Sequence, residues 1–121
     1  MASAPQTVLV TGATGYVGGR LVPCLLREGY RVRCFVRDAD RLHAQPWHDR
    51  VDVVTGDALK PDTLPGVFDG VDAAYYLIHS LGSGDEFAER DRRAATNIRA
   101  AAESAGVQRL IYLGGIRPKG E

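Results

Sequence analysis

Short apolar runs alternate along this chain with segments of helical spacing, and the alternation predicts five strands separated by helical stretches. The first strand is about Thr7 to Val10. Arg31-Val32-Arg33-Cys34-Phe35-Val36-Arg37 alternates polar and apolar residues, is rich in strand formers, and is the second. Val51-Asp52-Val53-Val54-Thr55 is the third, Ala73-Ala74-Tyr75-Tyr76-Leu77-Ile78 the fourth and Arg109-Leu110-Ile111-Tyr112-Leu113 the fifth. After the first strand, Val17, Leu21 and Leu25 recur four apart and Gly29 closes the segment, as a helix would. Pro23 interrupts that helix and costs about 3 kcal/mol in a helix interior. A bend rather than an end is expected, because the apolar spacing continues to Leu25 and Leu26 and Gly19 eases the ring's clash.

A longer helix is predicted from about Gly84 to Ala105. Ser83 followed by Glu86 fits a capping box, and Gly106 fits the left-handed residue past its end. Phe87, Ala94, Ile98, Ala101 and Ala105 trace its inward stripe, whose alanines let it lie close to a sheet. Glu89, Arg90, Arg92, Arg93 and Arg99 form its solvated face. Asp38 to Trp47 and Pro61 to Phe68 read as shorter helical stretches. Strands separated by helices mean βαβ units, a parallel sheet and right-handed crossovers. The expected spatial order is 3-2-1-4-5, with a cleft at the switch point between strands one and four.

At 121 residues the chain is long enough for one domain. Fifteen basic and fifteen acidic side chains cancel, so no global field draws nucleic acid or an anionic membrane. No apolar stretch approaches the roughly 20 residues of a membrane span. The start lacks a basic region followed by an apolar one and does not read as a secretory signal. Cys24 and Cys34 fall on elements that read as internal, so buried free thiols in a reducing cytoplasm are expected.

The candidate chemistry lies in Thr11-Gly12-Ala13-Thr14-Gly15-Tyr16-Val17-Gly18, three glycines spaced three apart between a buried strand and a helix. Gly12 permits the tight turn, Gly15 lets a phosphate approach the backbone, and Gly18 lets the helix pack on the sheet. Thr14 adds a hydroxyl donor. Bare amides at the positive end of a helix dipole suit a pyrophosphate.

Thr-Gly-x-x-Gly-x-x-Gly resembles the short-chain dehydrogenase/reductase superfamily in its extended and atypical branches. Gly56-Asp57, Tyr75-Tyr76-Leu77-Ile78-His79-Ser80 and Gly106 to Gly115 add to the likeness, which is greatest with the NmrA-like, NAD(P)H-binding group. The resemblance covers nearly the whole chain. It implies a Rossmann fold, a three-layer αβα sandwich, and a bound nicotinamide dinucleotide held by Gly12, Thr14, Gly15, Tyr16, Val17 and Gly18.

Arg37 stands near the end of strand two, where NAD-specific sites place an acidic residue for the ribose 2′-hydroxyl. A guanidinium pairs with a 2′-phosphate and a carboxylate repels it, so NADP(H) is expected over NAD(H). Arg41 is a candidate second contact. Asp38 and Asp40 would partly offset the charge, and an arginine at a strand end is also often simply solvated. Asp57 in similar proteins accepts from the adenine amino group, and Ala58 offers its backbone; Asp57 also reads as a cap or turn residue. Leu77 and His79 border the ribose and nicotinamide side by analogy with the fold. His79 equally reads as satisfying a local hydrogen bond.

The Tyr-x-x-x-Lys pair of many relatives is missing: no tyrosine has a lysine four residues on, and the lysines are Lys60 and Lys119. Leu113-Gly114-Gly115 stands where a serine is common, and Asn97 alone builds no active site, so a packing or surface role is expected for it. The chain ends just past strand five, where relatives continue, so the expectation is the N-terminal part of a longer protein, with the substrate region elsewhere. Two functions stay open. One is the cofactor half of an oxidoreductase or epimerase acting on a small molecule. The other is a non-catalytic dinucleotide sensor or assembly subunit.

Overall fold

The structure, a computed structural model, describes residues 6–13, 16–77 and 85–112, without the side chains of 16, 85–87 and 112. Five parallel strands, β1 (Thr7–Thr11), β2 (Arg31–Val36), β3 (Asp52–Thr55), β4 (Ala73–Tyr76) and β5 (Arg109–Tyr112), form one sheet in the order β3-β2-β1-β4-β5. Two α-helices, α1 (Tyr16–Arg27) and α2 (Asp85–Ser104), accompany it.

The strand period of two sorts the interior into two cores. Val8 and Val10 point to one face with Val32, Cys34 and Val36, and there meet Val22 and Leu25 of α1. Leu9 and Phe35 point to the other face and meet Ala94, Ile98 and Ala102 of α2. This is the expected three-layer sandwich with the expected strand order. Leu9 and Val10 are fully buried, and each such side chain contributes about 1.5–3 kcal/mol of hydrophobic free energy.

Both helices stop as the glycines predict. Gly29 has φ +92°, its N–H donates to Leu26 O, and the Tyr30 N–H donates to Leu25 O, both at 3.1 Å. Gly106 has φ +79°, with Gly106 N–H to Glu103 O at 3.1 Å and Val107 N–H to Ala102 O at 3.0 Å. Each is a Schellman closure, in which a left-handed glycine satisfies carbonyls that the last turn would leave open. α1 runs through Pro23 without ending.

Several expectations need correction. Val17 is 52% exposed, and α1 buries Val22 together with the expected Leu25, because three residues per turn and a fraction carry the stripe past a strict spacing of four. Cys24 lies on the same outward side and is exposed, whereas Cys34 is buried in the sheet. In α2 the inward stripe runs Ala94, Ile98, Ala102; Ala101 is half-buried at its flank, and Ala105 lies beyond the helix and is exposed. Phe87 and the proposed cap at Ser83 lie outside what is described. Glu89, Arg90, Arg92, Arg93 and Arg99 are exposed as expected, with Arg92 and Glu89 paired at 2.8 Å.

The two shorter helical stretches are not α-helices. After β2 the chain forms only 3-10 turns, Ala39–Ala44 and His48–Arg50. Pro46 forces Gln45 into an extended conformation (ψ 135°) and stops the first of them. After β3 only Pro61–Thr63 is helical. Pro65 has no N–H to donate, and Gly66 (φ +86°) and Gly70 (φ +73°) turn the chain left-handed. Leu64, Val67 and Phe68 still reach the core from these turns. Arg33 secures them, its Nη1 donating to Val67 O and Asp69 O at 2.8 Å each.

Candidate functional site

The central pair of strands sends its crossovers to opposite faces: β1 leads into α1, and β4 leads into α2. In parallel sheets of this order the ligand crevice lies past the carboxyl ends of the strands at this switch point, here β1 and β4. Thr11 stands there. Its buried hydroxyl donates to Tyr75 O and accepts from Leu77 N–H, both at 3.0 Å, so the last residue of β1 is tied to the end of β4.

Gly12 follows with φ +76°. A Cβ there would stand 3.1 Å from Leu77 Cβ and 3.3 Å from Leu77 C, so Leu77 lies directly against the turn. Gly18 presses α1 onto the same turn. A Cβ on it would overlap Gly12 O and stand 2.7 Å from Ala13 Cα, and both are backbone atoms that cannot rotate away. The first turn of α1 carries no acidic residue, so no carboxylate of that turn opposes an anion at the positive end of the helix. Val17 is exposed at this end. Tyr16 opens the helix. Thr14, Gly15 and His79 lie outside the described residues.

A second feature lies past β2 and β3. An open depression of about 390 Å³ is lined by Arg37, Thr55, Gly56, Asp57, Lys60 and Thr63. Gly56 brings the backbone close here: a Cβ would stand 2.8 Å from Phe35 Cε1 and 3.1 Å from Thr63 O. Arg37 and Asp57, far apart in sequence, share this wall. One Asp57 oxygen accepts from Leu59 N–H at 2.9 Å, so the carboxylate does hold a turn. Asp38 likewise caps the following 3-10 turn by accepting from Asp40 N–H at 3.0 Å. Neither Asp38, Asp40 nor Arg41 lines the depression. Arg41 is exposed on that turn.

Ala58 is buried, and its carbonyl accepts from Asn97 Nδ2 at 2.8 Å. Asn97 thus fastens the loop after β3 to α2. A packing role is one of the two that the sequence suggests for this residue, and the tertiary contact supplies its partner. Lys60 was noted merely as a lysine without a tyrosine partner; its place three residues beyond Asp57 was the available signal. Burial pushes the Cys34 thiol up to about 12, so it stays protonated and takes no part in the crevice. No group of residues suited to holding a metal ion occurs among the described residues, and no described helix is long and apolar enough to cross a membrane.

A glycine turn of close backbone approach between β1 and α1 is a feature that dinucleotide-binding folds share. The profile of a family described as NAD(P)H-binding matches residues 12–120. The chain belongs to that family. Its relatives are of the short-chain dehydrogenase type. It is 35% identical over 115 residues to a 3 beta-hydroxysteroid dehydrogenase/Delta 5→4-isomerase of Mycobacterium tuberculosis, covering 87% of this chain and 30% of that protein. It is 37% identical over 110 residues to a putative dihydroflavonol 4-reductase of Synechocystis, covering 85% and 31%. Among solved structures, the Citrobacter triphenylmethane reductase complexed with NADP(H) superposes with a TM-score of 0.71 at 26% identity, over 88% of this chain and 36% of that one. The chain spans about a third of the length of the curated relatives it matches. The described residues at the crevice between β1 and β4 are compatible with an NAD(P)H cofactor: the backbone at Gly12 and Gly18 is closely approached, and the first turn of α1 holds no carboxylate.

Proposed function

We propose that this chain is the cofactor-binding part of an NADP(H)-dependent oxidoreductase or epimerase of the atypical short-chain type, NmrA-like in its motifs, acting on a small molecule in the reducing cytoplasm. The observation that carries the reading is Arg37, exposed on the rim of the depression past β2, where an NAD-specific site would set a carboxylate. The nearby acids detract little from it, since Asp38 caps a turn and lies outside the depression.

In this reading the amides after Gly12 and at the start of α1, with Thr14, Gly15, Tyr16, Val17 and Gly18, bind the pyrophosphate. Arg37 pairs with the 2′-phosphate. Asp57 and the Ala58 backbone face the adenine, on a loop that Asn97 holds in place. Leu77 and His79 flank the ribose next to the nicotinamide. A bound nicotinamide supplies hydride transfer, and these residues supply orientation and charge. The names of the Mycobacterium and Synechocystis relatives, a dehydrogenase and a reductase, support redox chemistry for the whole protein.

Titration calorimetry tests the reading. NADPH is expected to bind more tightly than NADH, and Arg37→Ala to weaken NADPH about ten-fold while sparing NADH. Equal affinities in the unaltered protein would remove the role given to Arg37.

A further inference from the structure

The depression past β2 and β3 holds a second cation besides Arg37. Lys60 lines it from the loop after β3. Lys60 is exposed, and its side chain enters no ion pair with a described residue; the same holds for Arg37. The one carboxylate in the wall, Asp57, has an oxygen engaged by Leu59 N–H. With Lys60 the lining holds two cations against one carboxylate, where Arg37 alone would be balanced by Asp57.

The turn beneath Lys60 is firmly built. Its N–H donates to Asp57 O at 2.9 Å. Thr63 Oγ1 lies 2.7 Å from Lys60 O and 3.0 Å from Asp57 O, and it accepts from Asp57 N–H at 2.9 Å. Gly56 seats this turn against Phe35, so the loop's position relative to β2 is fixed by core packing. An exposed lysine thus stands on a hydrogen-bonded turn at a depression that an exposed arginine also lines.

We infer that Lys60 is a specificity-determining residue, whose ammonium meets the cofactor's 2′-phosphate in the depression that Arg37 also lines. The inference rests on the reading above that the adenosine end lies in this depression. The two cations differ in what they offer. Arg37 fixes the phosphate's orientation through its fork of donors, and Lys60 adds a compact charge without strict geometry. A ribose 2′-hydroxyl gives an ammonium little that water does not, so the lysine discriminates between the two cofactors.

The test compares NADPH and NADH by calorimetry in the full gene product, for the unaltered protein, Lys60→Gln, Lys60→Arg and Arg37→Gln. Melting curves check that each variant folds. Lys60→Gln is expected to weaken NADPH about five-fold and NADH by less than about two-fold, and Lys60→Arg to keep the preference. Equal weakening of both cofactors would place Lys60 on the adenine or in the loop's structure and overturn the inference. No change in either would overturn it too. A preference lost in Arg37→Gln but intact in Lys60→Gln would leave Arg37 its role and deny one to Lys60. An unaltered protein that does not distinguish the cofactors would refute both.

Discussion

Two neighbouring glycines in the first turns of α1 should respond to the same substitution in opposite directions. Gly18→Ala introduces a Cβ that overlaps the Gly12 carbonyl oxygen and approaches Ala13 Cα to 2.7 Å and Gly12 C to 2.9 Å. All three are backbone atoms, so no rotamer change relieves the clash, and α1 must lift from the turn. Overpacking costs about 1–3 kcal/mol, and the absence of a yielding side chain puts this case at the upper end. Alanine returns about 1 kcal/mol of helix propensity. The net expectation is a loss of about 2 kcal/mol, or about 8 °C in melting temperature for a domain of this size. At Gly19 the nearest atoms to an added Cβ are Gln45 Nε2 at 3.7 Å and Oε1 at 3.9 Å, which is ordinary contact. Gly19→Ala should stabilise by about 0.5–1 kcal/mol. Thermal and urea unfolding followed by circular dichroism measure both, and calorimetry follows the cofactor. Lifting α1 also misaligns its amides, so Gly18→Ala should bind NADPH more weakly at temperatures where it is fully folded. Stabilisation by Gly18→Ala equal to that by Gly19→Ala would refute the claim that this contact holds the turn closed.

Other substitutions probe the remaining supports. Thr11→Val keeps shape but removes the hydroxyl between Tyr75 O and Leu77 N–H; urea unfolding should show a loss of about 1–2 kcal/mol, and a neutral result would mean the strand ends need no such tie. Asn97→Ala frees Ala58 O and should cost about 1 kcal/mol with a few-fold rise in the dinucleotide dissociation constant. Asn97→Asp should be worse, since a carboxylate would then face that carbonyl. A thiol reagent should modify exposed Cys24 quickly and buried Cys34 only on unfolding; rapid reaction of both in the native state would contradict the packing. The Cys34 thiol is raised by burial from 9.0 to about 12. Its folded form therefore holds a proton that the unfolded chain gives up, and the associated stability is present below pH 9 and lost as pH climbs toward about 12. The difference in urea midpoint between the unaltered protein and Cys34→Ala should change across that window, and a constant difference would refute the assignment.

The order of elements was legible along the chain because each strand and helix carries a periodic signal that its own neighbours suffice to produce. Gly29 and Gly106 announced the helix ends for the same local reason. So did the strand, turn and helix around Gly12 and Gly18, and with them the kind of ligand the family holds. Periodicity failed where local and global demands part. Pro46, Pro65, Gly66 and Gly70 overrule helical spacing in the two short connections, yet Leu64, Val67 and Phe68 are buried there all the same, because the sheet's open face must be covered whatever backbone carries them. The choice of Val22 over Val17, and of Ala102 over Ala105, depends on where each helix is pinned against the sheet, which no window of sequence contains.

The site divides in the same way. The candidate glycines and Arg37 stand at positions that a strand end defines, so spacing alone proposes them. Thr11 with Leu77 and Asn97 with Ala58 are separated by many residues and bond only when parallel pairing aligns the carboxyl ends of the strands on one side of the sheet, which also brings Lys60 and Arg37 to one depression. A strand or a turn is a property of consecutive residues. Which side chains share a wall is a property of the sheet, whose hydrogen bonds join segments that the sequence keeps apart.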